Sequence, residues 1–456
     1  MVIGRATTMD DNKSKEWEQK AANCFRSPFP GSAETLSDEE LKTWLFESKQ
    51  GTEEEPQNPQ HWFSYGVALA SLDQKEEAMQ ALQRVVSLSP RHVRAWYWLG
   101  LVQDALGYDS DALAAFEEAT EPSPDWARAW CDKAVSLAKL GRYEESSEAF
   151  DASLRLDSTD AFTWLNYGSM LREKGLLDEA IKAFTKATEL DSKWAAPWDS
   201  KGYVLLAMER PDDAVPCFER AVRLDPTYAG GWHNLGHALV AQGKYSESID
   251  PLGQAIRLGY PEPKPYLMKI LALSQLGELR EALDVCDEGL AKWQDKELYR
   301  LKAGLLGMLK EHEACVELIV HVEEQGLADD EMLMWKAVQL GELERFEEAL
   351  STLDEVLERS PENLQARGGR AYYLCKVGQP DEGIRQIDEV VEKDPSNGGS
   401  WYIRAHIYAA LGGPHEMLTS LRKALDLQPD LINEVPGEKE FAPYKELAEF
   451  KAITGE

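Results

Sequence analysis

Residues 96–124 read WYWLGLVQDALGYDSDALAAFEEATEPSP, and the same arrangement returns up and down the chain. Tryptophan recurs every thirty-four residues at Trp62, Trp96, Trp130, Trp164, Trp198 and Trp232, and Tyr266 takes the next beat. Four places after each stands a very small residue: Gly66, Gly100, Ala134, Gly168, Gly202 and Gly236. A second small column runs through Ala78, Ala112, Ser146, Ala180, Ala214, Ser248 and Ala282. A bulky column follows at Leu82, Phe116, Phe150, Phe184, Phe218 and Leu252, then a third small one at Ala119, Ser153, Ala187, Ala221 and Ala255. A fixed period of this length means that one supersecondary unit is stacked on copies of itself.

Each column has a helical reading. Two apolar patterns of helical period are separated by a glycine, at Gly107, Gly141, Gly175, Gly243 and Gly277, which ends the first helix of a hairpin. Small residues let the paired helices approach, and the bulky columns fill the spaces between hairpins. Proline at Pro90, Pro124 and Pro226 closes the unit, because it cannot continue the helix it follows. On this reading Trp164→Ala opens a cavity and costs about 3–5 kcal/mol.

Trp96, Leu99, Gly100, Gly107, Ala112, Phe116, Ala119 and Pro124, in that order, resemble the tetratricopeptide repeat family, and the resemblance covers residues 59–430. It implies an all-α fold, a right-handed superhelical solenoid of antiparallel helix hairpins with about eleven units. Units begin near 59, 93, 127, 161, 195, 229, 263, 296, 330, 364 and 398. One residue is missing near 292–296, after which a second phase runs through Ala303, Ala337, Ala371 and Ala405, closed by Pro361, Pro395 and Pro429. The eighth unit is the weakest, with Cys315 and Ile319 in the Ala and Phe columns and no turn glycine. The expected organisation is a disordered tail over 1–34, a capping helix over 35–58, units one to seven over 59–295, units eight to eleven over 296–430, and a C-terminal capping helix over 431–456. Ser37 with Glu40 spells a capping box at the first end. Phe441, Tyr444, Leu447 and Phe450 make an apolar stripe at the other, suited to seal the last unit or to join a second copy of the chain.

The chain has 456 residues, six cysteines and a formal net charge of −32. No C-x-x-C pair is present, so the thiols read as reduced and structural. No apolar run spans a bilayer and no secretory signal opens the sequence, so the expected location is cytoplasmic. Acidic pairs such as Glu76 and Glu77, Glu144 and Glu145, Asp178 and Glu179, Asp212 and Asp213, and Glu347 and Glu348 fall where the second helix of each unit starts, complementing its dipole. The summed charge disfavours nucleic acid and anionic membrane as partners.

In the tetratricopeptide family the first helices line a concave groove. Carried onto this chain, the peptide-binding groove is expected to show Phe63, Arg94, Tyr97, Leu101, Arg128, Phe162, Leu165, Asn166, Tyr203, His233, Asn234 and His237. Asn166 and Asn234 belong to a polar column with Asp132 and Ser200. The resemblance implies a partner peptide or helix with hydrophobic anchors and an acidic group. The Lys, Arg and Asn constellation by which heat-shock co-chaperones clamp a C-terminal carboxylate is absent. Tyr97→Ala with Arg128→Glu is expected to weaken that binding and spare the helices. His233 and His237, four apart on one helix face, with Asp199, offer an alternative metal reading; otherwise neither metal nor cofactor is expected. The repeats consume the chain and leave no Gly-rich phosphate loop or nucleophile elbow, so no enzyme is expected. The function is read as an interaction scaffold or adaptor, with a ligand- or metal-responsive sensor on the same superhelix as the alternative.

Overall fold

Every hairpin turn carries one residue in the left-handed region of backbone space. Gly107, Gly141, Gly175, Gly243, Gly277, Gly378 and Gly412 have φ between 73° and 84°, and Asp73, Glu209, Lys310 and Glu344 have φ between 57° and 61°. The amide that follows donates back to the last turn of the first helix, as Tyr108 N does to Gln103 O at 2.9 Å and Glu311 N to Leu306 O at 2.9 Å. This bond closes the helix and reverses the chain. The eighth hairpin therefore turns as the others do, with Lys310 at the position that seven of them give to glycine. A side chain in this region costs about 1–2 kcal/mol, part of which a glycine returns through unfolded-state entropy. Lys310→Gly is expected to stabilise the chain by about 0.5–1 kcal/mol, read as a rise in the urea midpoint.

The computed structural model describes residues 37–455. The tail expected over 1–34 and the first residues of the N-terminal cap lie outside them. The described residues form α-helices and short 3-10 turns, with no strand among them. They fall into two compact units, one ending at Asn234 and the other starting at Leu235.

In the first unit, helix Asp38–Glu54 starts on a reciprocal capping box: Glu40 N reaches Ser37 Oγ at 3.3 Å and Ser37 N reaches the Glu40 carboxylate at 2.8 Å. It packs on the first hairpin, Pro59–Ser71 with Lys75–Leu88. Hairpins Val93–Ala105 with Asp109–Thr120, Ala127–Lys139 with Tyr143–Leu156, Ala161–Glu173 with Leu177–Leu190, and Ala195–Ala207 with Pro211–Leu224 follow, each packed on the next. The boundary between the units falls within helix Ala229–Ala241. The second unit continues through Tyr245–Arg257 and hairpins whose first helices are Lys264–Gln275, Lys296–Met308, Asp330–Glu342, Leu364–Lys376 and Gly398–Ala410. The acidic pairs lie in the first turns of the second helices, where they meet unpaired amides.

The small and bulky columns pack against each other inside one hairpin. A Cβ built on Gly100 would stand 2.7 Å from the Phe116 ring, and one on Gly168 would stand 2.7 Å from Phe184. The ring lies on bare backbone, which is why these columns pair Gly with Phe. Departures from the small columns are hydrogen-bonded: Ser146 Oγ donates to Ala134 O at 2.7 Å, and Cys315 Sγ to Ala303 O at 3.4 Å. The five described cysteines are free, and burial pushes the Cys315 thiol up to about 11, away from reactivity.

The tryptophan column does a different job from the one its size suggests. Phe116, Phe150, Phe184 and Phe218 are fully buried, whereas Trp96, Trp130, Trp164 and Trp198 are half-buried. The indole N–H reaches back to the carbonyl of the residue that closes the previous repeat: Trp62 to Pro56, Trp96 to Pro90, Trp130 to Pro124, Trp164 to Ser158, Trp232 to Pro226 and Trp401 to Pro395, all at 2.8–3.0 Å. Arg367 stands in the same column and makes the same bond, to Pro361 O at 2.7 Å. The column is a clamp on the inter-repeat turn, so the cavity cost expected of Trp164→Ala is too large and belongs to the phenylalanine column.

At the C-terminus the structure departs from a single capping helix over 431–456. Three 3-10 turns, Pro429–Asn433, Val435–Gly437 and Ala442–Tyr444, precede a short helix Ala448–Thr454. Pro429, Pro436, Gly437 and Pro443 forbid a continuous helix here. Phe441 and Phe450 are nevertheless buried, packed with Tyr402, Met417, Leu421, Leu431 and Val435 of the last hairpin and its extension. Those two members of the stripe are spent inside the chain.

Candidate peptide-binding face

In the first unit the residues flanking the tryptophan column meet along the first helices. Phe63 and Tyr97 are 2 % and 1 % exposed, and they are core residues. Phe63 lies against His92, with ring centroids 4.8 Å apart, and Tyr97 against Trp126 at 4.4 Å. Tyr97 donates its hydroxyl to Asp132 at 2.7 Å. Arg128 lies between the same carboxylate, at 3.4 Å, and Asp160 at 3.8 Å, with its guanidinium 3.8 Å over the Phe162 ring. Burial works against the Arg128 charge, but Asp132, with lesser help from Cys131, Tyr97 and Asp160, holds its pKa above the ordinary arginine value. Phe162 in turn stacks on Trp194, planes 6° apart. The substitutions Tyr97→Ala and Arg128→Glu therefore strike a packed network, and the expectation that they spare the fold is corrected.

The remaining residues divide. Leu101 and Leu165 are half-buried against the cores of their own hairpins. Asn166 spends its amide within its own helix, on Phe162 O at 3.1 Å. Asn234 donates to Asp199 at 2.9 Å, and Tyr228 donates to the other oxygen of that carboxylate at 3.1 Å. Burial pushes the Asp199 carboxyl up, and those two hydrogen bonds work against the shift. His233 is buried, and His237, a half-buried residue of the second unit, has its pKa lowered by burial. Arg94 and Tyr203 are exposed, Tyr203 at 49 % with the Arg172 guanidinium 5.6 Å over its ring. The face thus presents Arg94, Tyr203 and Arg172 to solvent and keeps Phe63, Tyr97 and His233 inside.

Two sets of residues escape a reading confined to the tryptophan neighbours. His92, Trp126, Asp160, Trp194 and Tyr228 stand four places before each tryptophan and pack on the preceding first helix, as the pairs above show. They keep the thirty-four-residue beat, so the period contained them. The second set lies in the last two hairpins. Tyr372 and Lys376, on helix Leu364–Lys376, and Tyr402 and His406, on helix Gly398–Ala410, are met by the chain's own C-terminal segment. Glu440 accepts from Tyr372 at 3.0 Å and from Lys376 at 2.6 Å. The Phe441 ring lies 5.9 Å from Tyr402 and 4.5 Å from His406. Burial pushes the His406 imidazole down to about 4, against the opposing charge of Glu440. Burial also opposes ionisation of Glu440, but the hydrogen bond and charge of Lys376, a backbone amide and the Tyr372 hydroxyl together hold that carboxyl below its ordinary value. Burial and then Glu440 push Glu438 the other way. Tyr372, Tyr402 and His406 extend the repeat columns, but the segment that meets them carries no repeat.

No described helix is long and apolar enough to cross a membrane. No curated protein sequence matches the chain. Among solved structures, the chain is similar to YrrB, described as a TPR protein with an unusual peptide-binding site, at 20% identity over 41% of this chain and 96% of that one, TM-score 0.35. It is similar to PilF of Pseudomonas aeruginosa at 22% identity over 43% and 89%, TM-score 0.40, and to a tetratricopeptide repeat protein of Parabacteroides merdae at 15% identity over 57% and 98%, TM-score 0.43. Family models, each described as tetratricopeptide repeat, match residues 80–127, 110–161, 131–195 and 200–259, residues 342–407, and residues 60–92 and 398–431. With most of the sequence matched in this way and every described hairpin built to one pattern, the chain belongs to the tetratricopeptide repeat family.

Proposed function

We propose that the chain is an interaction scaffold that takes a partner's polypeptide on the face formed by its first helices. One observation carries this reading: residues 434–441, EVPGEKEF, already lie on that face in the last two hairpins, held by a charge-assisted bond from Lys376 and by the buried Phe441 ring. A non-helical acidic segment with an aromatic anchor is the kind of ligand these columns receive. In the first unit, exposed Arg94 and Tyr203, with half-buried Arg172 over the Tyr203 ring, offer the same chemistry of cation and ring. The family's role as a protein-binding framework agrees with this.

The test uses a fluorescent peptide of sequence EVPGEKEF and the full-length chain. In the wild type the peptide competes with its own copy. Glu440→Ala with Phe441→Ala weakens that copy's hold and is expected to tighten peptide binding about ten-fold in fluorescence anisotropy, because the competent state is no longer taxed. Equal affinity for the two proteins, or no binding to either, rejects the reading.

A further inference from the structure

His406, Glu438 and Glu440 bring three ligand atoms within 4.8 Å of one another where the C-terminal segment meets the last hairpin. The His406 Nδ1 atom lies 4.0 Å from Glu438 Oε2 and 3.8 Å from Glu440 Oε2. Glu440 divides its two oxygens. Oε1 accepts from Lys376 and Tyr372, which fixes the carboxylate, and Oε2 is the atom turned toward the imidazole. Outer partners of this kind orient metal ligands in known sites.

A second observation is independent of the cluster. Tyr402 is 8 % exposed, its ring centroid is 4.7 Å from that of His406, and its hydroxyl makes no hydrogen bond among the described residues. The charges of Glu438, Glu434 and Glu440 all bear on it. A buried hydroxyl is rarely left without a partner, and this one belongs to a ring packed on that of His406, so it marks a place for another group. The imbalance of charge asks for a cation. Glu438 lies near the carboxylates of Glu440, Glu342 and Glu434, and the ammonium of Lys376 is taken by Glu440.

We propose that His406 Nδ1, Glu438 and Glu440 hold a divalent transition-metal ion beside the Tyr402 ring. One imidazole nitrogen and two carboxylate oxygens suit zinc, with manganese as the harder alternative. Ligand atoms on a tetrahedral zinc with bonds of about 2.0–2.2 Å stand about 3.4 Å apart, so the two histidine–carboxylate separations close by roughly half an ångström around the ion, and the carboxylate pair, within 4.8 Å, by at most about 1.4 Å. Glu438, on the non-helical stretch and without a partner that fixes its carboxylate as Glu440 has, supplies that movement by side-chain rotation. The ion fastens residues 438–440 to helix Gly398–Ala410, and it acts as a clip on the segment whatever partner the rest of the chain takes.

The test is calorimetric titration of the full-length chain, stripped of metal by chelator, with zinc chloride alone. One saturable site is expected, with a rise in melting temperature when zinc is present. Glu438→Gln, at a half-exposed position that does not threaten the fold, and His406→Gln are each expected to weaken zinc binding at least about ten-fold and to abolish the thermal shift. Circular dichroism of the metal-free variants shows that they fold. His237→Gln is expected to bind zinc as the wild type does. Absence of saturable uptake overturns the proposal, as does uptake undiminished in both cluster variants, or uptake lost in His237→Gln alone, which would place the ion with Asp199 and His233.

Discussion

Phe184→Ala is expected to destabilise the chain by about 3–5 kcal/mol, the cost of a large cavity in a rigid core. Phe184 is fully buried, and it rests on the backbone of Gly168 so closely that a Cβ there would stand 2.7 Å from its ring. The surrounding helices cannot collapse into the space, because the same contact fixes the next hairpin, Gly202 on Phe218, and recurs two hairpins back, Gly100 on Phe116. The loss also spreads, since stability in a stack is a sum of nearest-neighbour terms. Trp164→Ala is the matched comparison. It removes a half-buried ring and one hydrogen bond, to Ser158 O at 3.0 Å, and is expected to cost about 1–3 kcal/mol. Urea unfolding of both variants, followed by circular dichroism, checks the order; a tryptophan variant less stable than the phenylalanine variant would contradict this division of labour.

Arg128→Glu is the second large effect, about 3–5 kcal/mol, because removing one partner of a buried ion pair strands the other. Here the substitution also places a third carboxylate beside Asp132 and Asp160, 3.4 and 3.8 Å from the present guanidinium. The Arg128 and Asp132 side chains are 18 % and 12 % exposed, so solvent screening is weak. It also takes the cation from the face of Phe162. Arg128→Met keeps the packing and is expected to cost less than half as much. Thermal melts compare them, and equal melting temperatures for the two variants would refute the electrostatic account.

The fold was legible because period and chemistry agree: the glycine of the turn, the small residue under the phenylalanine and the proline at the close each have a local steric cause that sequence displays. Lys310 and Glu344 show where that legibility stops, since the backbone takes the left-handed turn even where no glycine announces it. The candidate site was legible in position more than in role. Counting from the tryptophans locates Tyr97, Arg128 and Phe162, but whether a side chain faces solvent depends on what stands four residues before the next tryptophan, and Trp126 and Trp194 cover them. The C-terminal segment was least legible of all, because its contact with Tyr372 and Lys376 joins residues more than sixty apart that share no period.

The clamp of indole on carbonyl has one gap. Trp198 has no hydrogen-bond partner for its N–H among the described residues, and Arg220 instead donates to Ser192 O at 3.3 Å, the carbonyl that Trp198 would have taken. That junction is held from the second helix of its hairpin rather than the first, by a guanidinium rather than an indole. Among the described tryptophan junctions this is the one where loss of the indole leaves the bond to the turn carbonyl in place, because Arg220 holds it.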